Sequence, residues 1–344
     1  MSILIRSFAI CIATLGIIAC NSNLTTTNKS NSTFDSEKKP AQVIFDTDMG
    51  PDYDDIGAIA VLHALADSNE LEILATVSSN GHPDISPTIE VLNRYFGRPN
   101  IPIGDASSSA LNFTASNNWN NKLIAQFHPA SKGKKYEPAV TVYRKILASQ
   151  PDNSVTILTV GFMTNISDLL KSNPDTISNM NGLELVNKKV KNWVAMAGTF
   201  PDGREFNVFE DSTASVYAFN NFPKPILLSG FEIGDKIKTG AKVAALNDTL
   251  SPISVGYKYN FDTYSKEGEK ERSSWDQTAV LVAARDPERY FYISGPGKFI
   301  VQSNGLNYWL PSEEGNHRFL IHKYPSREIA KVIDDLMLHQ PINK

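Results

Sequence analysis

From residue 41 onward, short apolar runs alternate with longer stretches whose apolar residues recur three or four positions apart. Residues 41–45 (AQVIF) predict a buried strand. Ile56, Ile59, Leu62, Leu65 and Ala66 then recur at helical spacing, which places Asp54 and Asp55 in the first turn of a helix. The alternation continues with strands over 71–77, 101–104, 155–160, 190–196 and 225–228. Between and after them, helices are predicted over 85–96, 137–150, 164–171, 212–220, 275–284 and 329–339. Residues 290–321 keep the pattern poorly and predict short, partly antiparallel strands at a sheet edge. The expected fold is α/β: a single large domain over 41–344 with a mostly parallel, doubly wound (Rossmann-like) sheet flanked by helices. Ligands bind such sheets beyond the carboxyl ends of the strands. Four segments fall there: 46–55, 78–84, 160–165 and the loop 198–207.

The first forty residues follow another pattern. Arg6 precedes an apolar stretch over 8–19 that is too short for a comfortable membrane span. It ends in Ile17-Ile18-Ala19-Cys20, which resembles a bacterial lipobox. On that reading residues 1–19 are a lipoprotein signal peptide, and Cys20 is lipidated and becomes the first mature residue. The protein would then be exported and lipid-anchored, facing the periplasm or the cell surface. An ordinary signal peptide, or a short anchor with an incidental cysteine, is the competing reading. Cys11 and Cys20 are the only cysteines, so the mature domain would hold no disulfide. Residues 20–40, rich in Asn, Ser, Thr and Lys, predict a disordered tether.

The net charge is -4 and the pI about 5.9, so no basic surplus exists to neutralise nucleic-acid phosphates. The charge that matters is local. Asp46-Thr47-Asp48-Met49-Gly50-Pro51-Asp52-Tyr53-Asp54-Asp55 carries five aspartates in ten residues. At the end of a buried strand such a cluster is costly unless a cation is present. Oxygen ligands alone suit Ca²⁺ or Mg²⁺, and no His/Cys cluster supports zinc. An acidic helix start followed by a polar loop is the alternative. Asp-x-Asp also opens haloacid dehalogenase-like phosphatases, but Gly50 and the later Asp54-Asp55 doublet depart from that pattern. A phosphate substrate would also call for a basic residue near the acidic segment, which is expected to lack one.

Several motifs in order resemble the inosine-uridine preferring nucleoside hydrolase family. Asp46-Thr47-Asp48-Met49-Gly50 followed by Asp54-Asp55 is similar to its Asp-x-Asp-x-Gly-x-Asp-Asp motif in a form with two extra residues. Asn80 follows the second strand. Val160 to Asn165 resembles the Gly-x-x-Thr-Asn turn, Met196 to Asn207 the Met-Gly-Gly…Glu-Phe-Asn loop, and Asp276 opens a later helix. The resemblance covers about residues 41–340. It implies a Ca²⁺-dependent hydrolase of the N-glycosidic bond of ribonucleosides. It implies Asp48, Asp55, Asp276 and the Val160 carbonyl as metal ligands, with Asp48 also the base that takes a proton from water. It implies Asp54, Asn80, Glu205 and Asn207 as ribose contacts and Asp46 as a support, and leaves Asp52 open.

Three departures stand out. Thr199 stands near where many members place another ribose-binding Asn, the acidic motif is longer by two residues, and Trp275 occupies the position of a His that protonates the leaving base in uridine-accepting members. Trp275 resembles instead the purine-preferring branch, where two tryptophans sandwich the base. Trp119, in a polar loop, is the candidate second wall, although packing on its own loop is an equal alternative. His82 is a candidate acid. The expected partners are a nucleoside and, through Cys20, a membrane, and self-association is left open. Hydrolysis of another ribosyl or glycosyl compound, or non-catalytic Ca²⁺-dependent sugar binding, are the alternative functions.

Overall fold

The computed structural model describes residues 39–342 apart from 267 and 324. The expected signal peptide, Cys20 and nearly all of the tether lie outside the described residues.

The strands are β1 (Ala41–Thr47), β2 (Leu71–Ser78), β3 (Ile103–Asp105), β4 (Glu137–Pro138), β5 (Val155–Thr159), β6 (Val190–Met196), β7 (Asp202–Gly203), β8 (Ile226–Ser229), β9 (Lys238–Thr239), β10 (Arg272–Ser273), β11 (Phe291–Ile293), β12 (Gly297–Val301), β13 (Asn307–Pro311) and β14 (His317–His322). Twelve of them form one sheet in the order β4-β3-β2-β1-β5-β6-β8-β14-β12-β13-β7, with β11 also paired to β14. From β4 to β14 every neighbour is parallel. β12, β13, β7 and β11 are antiparallel to their partners. β9 and β10 make a separate two-stranded ribbon.

β1 shows why the sheet is legible. It lies between β2 and β5, so both of its faces are covered and its side chains read as a continuous apolar run. Val43 and Phe45 point into the core shared with the helices Asp54–Asp67 and Trp275–Ala284, whereas Ile44 points into the opposite core. Helices cover both faces, as expected of the doubly wound α/β fold.

Some boundaries differ from expectation. The helix expected from residue 137 begins at Ala139, because Pro138 holds Glu137 extended and the pair adds a sheet-edge strand. β14 is parallel to β8 and continues the main sheet, so the antiparallel part begins only with β12. The loop 198–207 contains β7. Helices Trp119–Phe127, Gly182–Lys189 and Pro252–Thr263 were not predicted. The last of these buries Ser254, Gly256 and Asn260 beside Ile253 and Tyr257, so its inner face mixes polar and small residues with apolar ones and the apolar signal is weak.

Candidate metal-dependent active site

The carboxyl ends of β1, β5 and β6 open on a cavity of about 260 Å³. Asp48, Asp54, Val160, Glu205, Asn207, Trp275 and Asp276 line it, as do Asp52, Pro51, Met196, Phe206, Phe231 and Tyr264. β1 ends at Thr47, and the chain reverses through Met49 (φ 45°) and Gly50 (φ 133°) before Asp54 starts its helix. Few side chains tolerate the second of these conformations, which accounts for the glycine. The turn buries Asp48, Asp54 and Asp55 together, and Asp276 joins them from the start of its own helix. The Asp276 amide donates to Asp54 Oδ2 at 3.1 Å.

Asp55 forms the floor of this group. Its Oδ1 accepts from the Thr47 hydroxyl and from the Met49 amide, the latter at 3.0 Å. Its Oδ2 is buried and has no hydrogen-bond partner. Asp48 and Asp276 both come within hydrogen-bonding reach of Asp55, yet ionised carboxylates only accept. Burial, reinforced by the neighbouring aspartates, pushes Asp48, Asp54 and Asp276 well above the usual carboxylate range. Asp55 rises to about 7 through burial and then the charge of Asp52. Such a group is relieved by protons or by a hard cation. An orphaned buried oxygen among oxygen-only donors therefore fits a divalent metal.

The tightest set is not the expected one. Asp52, Asp54 and Asp55 each offer an oxygen within 4.8 Å of the others, whereas Asp48 and Asp276 stand outside that set. Asp52 is partly exposed and paired with Arg272, which arrives from 220 positions along the chain. That pairing takes up the Asp52 charge, so we favour the fully buried aspartates as the cation's neighbours. Arg272 also overturns the expectation that no basic residue stands near the acidic segment.

Polar neighbours fix the rest. Asp46 is wholly buried and accepts from the Tyr143 hydroxyl (2.8 Å) and the Asn165 amide (3.1 Å), a supporting position. Burial outweighs these bonds and lifts it to about 7. The Val160 amide donates to the Asp46 carbonyl (2.8 Å), and the Val160 carbonyl accepts from Asn207 Nδ2 (3.1 Å). Glu205 caps the short helix Phe206–Glu210, accepting the amides of Asn207 and Val208, and also that of Gly198. Burial nonetheless lifts Glu205 to about 7.

Asp55 lies buried behind the lining residues, and three further expected residues do not reach the cavity. Trp119 opens a helix instead of sitting in a polar loop, is 0% exposed, and donates its indole N–H to the Asp52 carbonyl at 2.9 Å. It braces the acidic loop from behind, so it is not a second wall for a base. Asn80 donates to the Asp48 and Phe113 carbonyls and accepts from the His82 and Phe113 amides. Its side chain is consumed in holding the Asp48 backbone, which corrects its assignment as a ribose contact. His82 accepts the Asp84 amide on Nδ1 and is not among the lining residues, so it is no candidate acid.

Trp275 does line the cavity. It stacks on Phe231 (centroids 5.3 Å apart, 28° between planes) and donates its indole N–H to the Phe231 carbonyl at 2.9 Å. Phe231, Phe206 and Tyr264 are each more than a third exposed and complete the aromatic side of the cavity. The sequence reading missed these three. Phe231 follows the end of β8, where the rule of ligands at carboxyl ends would have found it.

The sequence matches the profile of the inosine-uridine preferring nucleoside hydrolases over residues 43–317. The chain belongs to this family. It is therefore a hydrolase acting on N-glycosyl compounds, with ribonucleosides as the substrate class and a metal requirement as the family trait, and non-catalytic sugar binding is set aside. Among its relatives, an uncharacterized protein of Schizosaccharomyces pombe is 28% identical over 230 residues, 62% of this chain and 68% of the relative. The pyrimidine-specific ribonucleoside hydrolase RihA of Citrobacter koseri is 28% identical over 228 residues, 62% of this chain and 67% of that one. Among solved structures, the purine-preferring ribonucleoside hydrolase from Gardnerella vaginalis superposes with a TM-score of 0.68 at 16% identity, covering 86% of this chain and 98% of that one. The fold is thus that of the nucleoside hydrolases.

Proposed function

We propose that the protein is a Ca²⁺-dependent ribonucleoside hydrolase that prefers purine nucleosides. The observation that carries this is one cavity lined by Asp48, Asp54 and Asp276, with the unpartnered Asp55 Oδ2 buried beside them, and by an aromatic side built on Trp275 and Phe231. Asp48, Asp55, Asp276 and the Val160 carbonyl would hold the cation. Bound there, Ca²⁺ would acidify a water and hold the ribose hydroxyls beside it.

The protein's own groups supply the rest. Asp48 takes the proton of the attacking water. Asp54, Glu205 and Asn207 hold the sugar hydroxyls, the amides on Glu205 fixing its orientation. The surrounding carboxylates stabilise the positive charge that develops on the sugar as the C–N bond stretches. Asp46 and Asn80 keep the Val160 and Asp48 backbones in place. A purine covers more of the aromatic side than a pyrimidine, and stacking contributes roughly 1–3 kcal/mol per base.

Ribose release from inosine, adenosine, guanosine, uridine and cytidine, measured with Ca²⁺ and after chelation, tests this. Purine turnover that stops on chelation is expected, and no ribose from any substrate would refute it. A different ribosyl compound is the second reading. It is favoured by Thr199, whose amide and carbonyl are clamped by Asn307 where a further sugar-binding amide is usual.

We also propose export and lipid attachment at Cys20, on the lipobox-like Ile17-Ile18-Ala19-Cys20. Labelled palmitate should enter the wild-type chain, and equal labelling of Cys20→Ser would exclude that site.

A further inference from the structure

Departure of a nucleobase leaves negative charge on a ring nitrogen, and a proton supplied there lowers the barrier. Trp275 cannot supply it, because its indole N–H is spent on the Phe231 carbonyl. Among the described lining residues there is no histidine, lysine or cysteine. The carboxyl groups are also poorly suited. Asp52 is tied up in its ion pair with Arg272, both oxygens of Glu205 accept backbone amides, and Asp48, Asp54 and Asp276 belong to the metal and sugar end. One protic side chain remains on the aromatic side.

We infer that Tyr264 is the acid that protonates the departing base, and that the two extra residues of the acidic motif help to hold it. The inference rests on the nucleoside-hydrolase reading above. Tyr264 lines the cavity with 37% of its surface exposed. It caps the helix Pro252–Thr263, its amide donating to the Asn260 carbonyl at 2.9 Å. Tyr53, from the lengthened motif, meets the Tyr264 ring edge-on at 5.8 Å, and its hydroxyl lies 2.7 Å from that of Ser265, the next residue. Asp52, from the same stretch, holds Arg272, whose guanidinium lies 5.3 Å from the Tyr53 ring, 5.9 Å from the Tyr264 ring and 4.9 Å from the Trp275 ring. Acid, positive charge and cavity-lining tryptophan are thus tied into one cluster.

The chemistry balances. The phenol O–H bond breaks as the glycosidic C–N bond breaks. The C–N electron pair goes to the base, which takes the phenol proton on a ring nitrogen, and water adds its oxygen to the sugar carbon while its proton goes to Asp48. The proton on Asp48 and the charge on Tyr264 are exchanged through solvent before the next turnover. Arg272 beside the ring stabilises the transient phenolate. Burial, reinforced by Asp52 against the opposing pull of Arg272, raises the phenol above its ordinary value and keeps it protonated near neutrality.

The test compares wild type and Tyr264→Phe on inosine and on p-nitrophenyl riboside, whose leaving group departs without a proton. Tyr264→Phe is expected to lower kcat on inosine about 100-fold or more and to change kcat on p-nitrophenyl riboside by less than about threefold. Equal losses on both substrates, or no loss on inosine, would overturn the assignment. Arg272→Lys, which keeps a positive charge, should retain more inosine turnover than Arg272→Met, and identical losses in the two would count against the phenolate role. Wild-type protein that hydrolyses neither compound would remove the nucleoside-hydrolase reading itself, an outcome distinct from the others.

Discussion

The two oxygens of Asp55 have opposite circumstances. Oδ1 receives the Thr47 hydroxyl and the Met49 amide, whereas Oδ2 is buried against other carboxylates with no donor. Replacing Asp55 by Asn removes a buried charge and gives its neighbours an N–H to accept. The metal-free Asp55→Asn protein should therefore be more stable than metal-free wild type by about 1–3 kcal/mol, while losing activity. Calcium should raise the Tm of wild type and leave that of the variant unchanged, and scanning calorimetry with and without a chelator checks both. A variant still stabilised by calcium would remove Asp55 from the site. At this scale the sequence was informative wherever charge density itself was the signal, as with five aspartates in ten residues. It was silent on Asp52, because the Arg272 that decides its role lies 220 positions away.

The helix Ile85–Tyr95 was predicted from its apolar spacing, and the structure adds a buried charge to it. Glu90 is 2% exposed and receives the Tyr136 hydroxyl (2.6 Å), Lys134 (2.9 Å) and Arg94 (3.0 Å). Burial alone would raise its pKa, but these donors outweigh burial and hold it at about 2. The unfolded value is near 4.5, so the folded state binds fewer protons between the two values. Its stabilisation is thus complete above about pH 4.5 and is lost as pH falls toward about 2. Glu90→Gln should cost about 1–3 kcal/mol at pH 7, with the gap to wild type closing below pH 4.5 in urea melts over a pH series. A gap independent of pH would show that shape, and not charge, ties this helix to residues 134–136. Helix Trp119–Phe127 was missed for a related reason. Its inner face combines Trp119 and Asn120 with Leu123 and Ile124, and Asn120 is there to hold the Met49 carbonyl at 3.0 Å. A segment that serves a loop in this way carries little periodicity of its own.

Across the whole molecule, the site exists because parallel neighbours end together. β1 pairs with β2 and β5 such that Asp46 lies opposite Val77 and Thr159, and the three following turns converge. The parallel order could be anticipated from buried apolar runs, but convergence to within atomic contact could not. Gly161 shows how close it is: a methyl there would lie 2.4 Å from the Asp48 amide nitrogen, 2.5 Å from Ser79 Oγ and 2.8 Å from Asp48 Cβ. Its glycine is required by space. Two of those contacts are on Asp48, at the end of a strand fixed on both sides, so the added methyl must displace the proposed base and ligand. Gly161→Ala should therefore weaken calcium binding and lower kcat/KM by about 100-fold or more, since small misplacements in a preorganised site are costly. The accompanying stability loss should be only about 1–3 kcal/mol, as for other overpacked positions. Gly295→Ala is the matched control, because a methyl there meets nothing within 4 Å, and its activity should equal wild type. If Gly161→Ala kept wild-type calcium affinity by titration calorimetry, the turns would be free to separate. Rigid convergence of the β1, β2 and β5 ends would then not be what assembles the site.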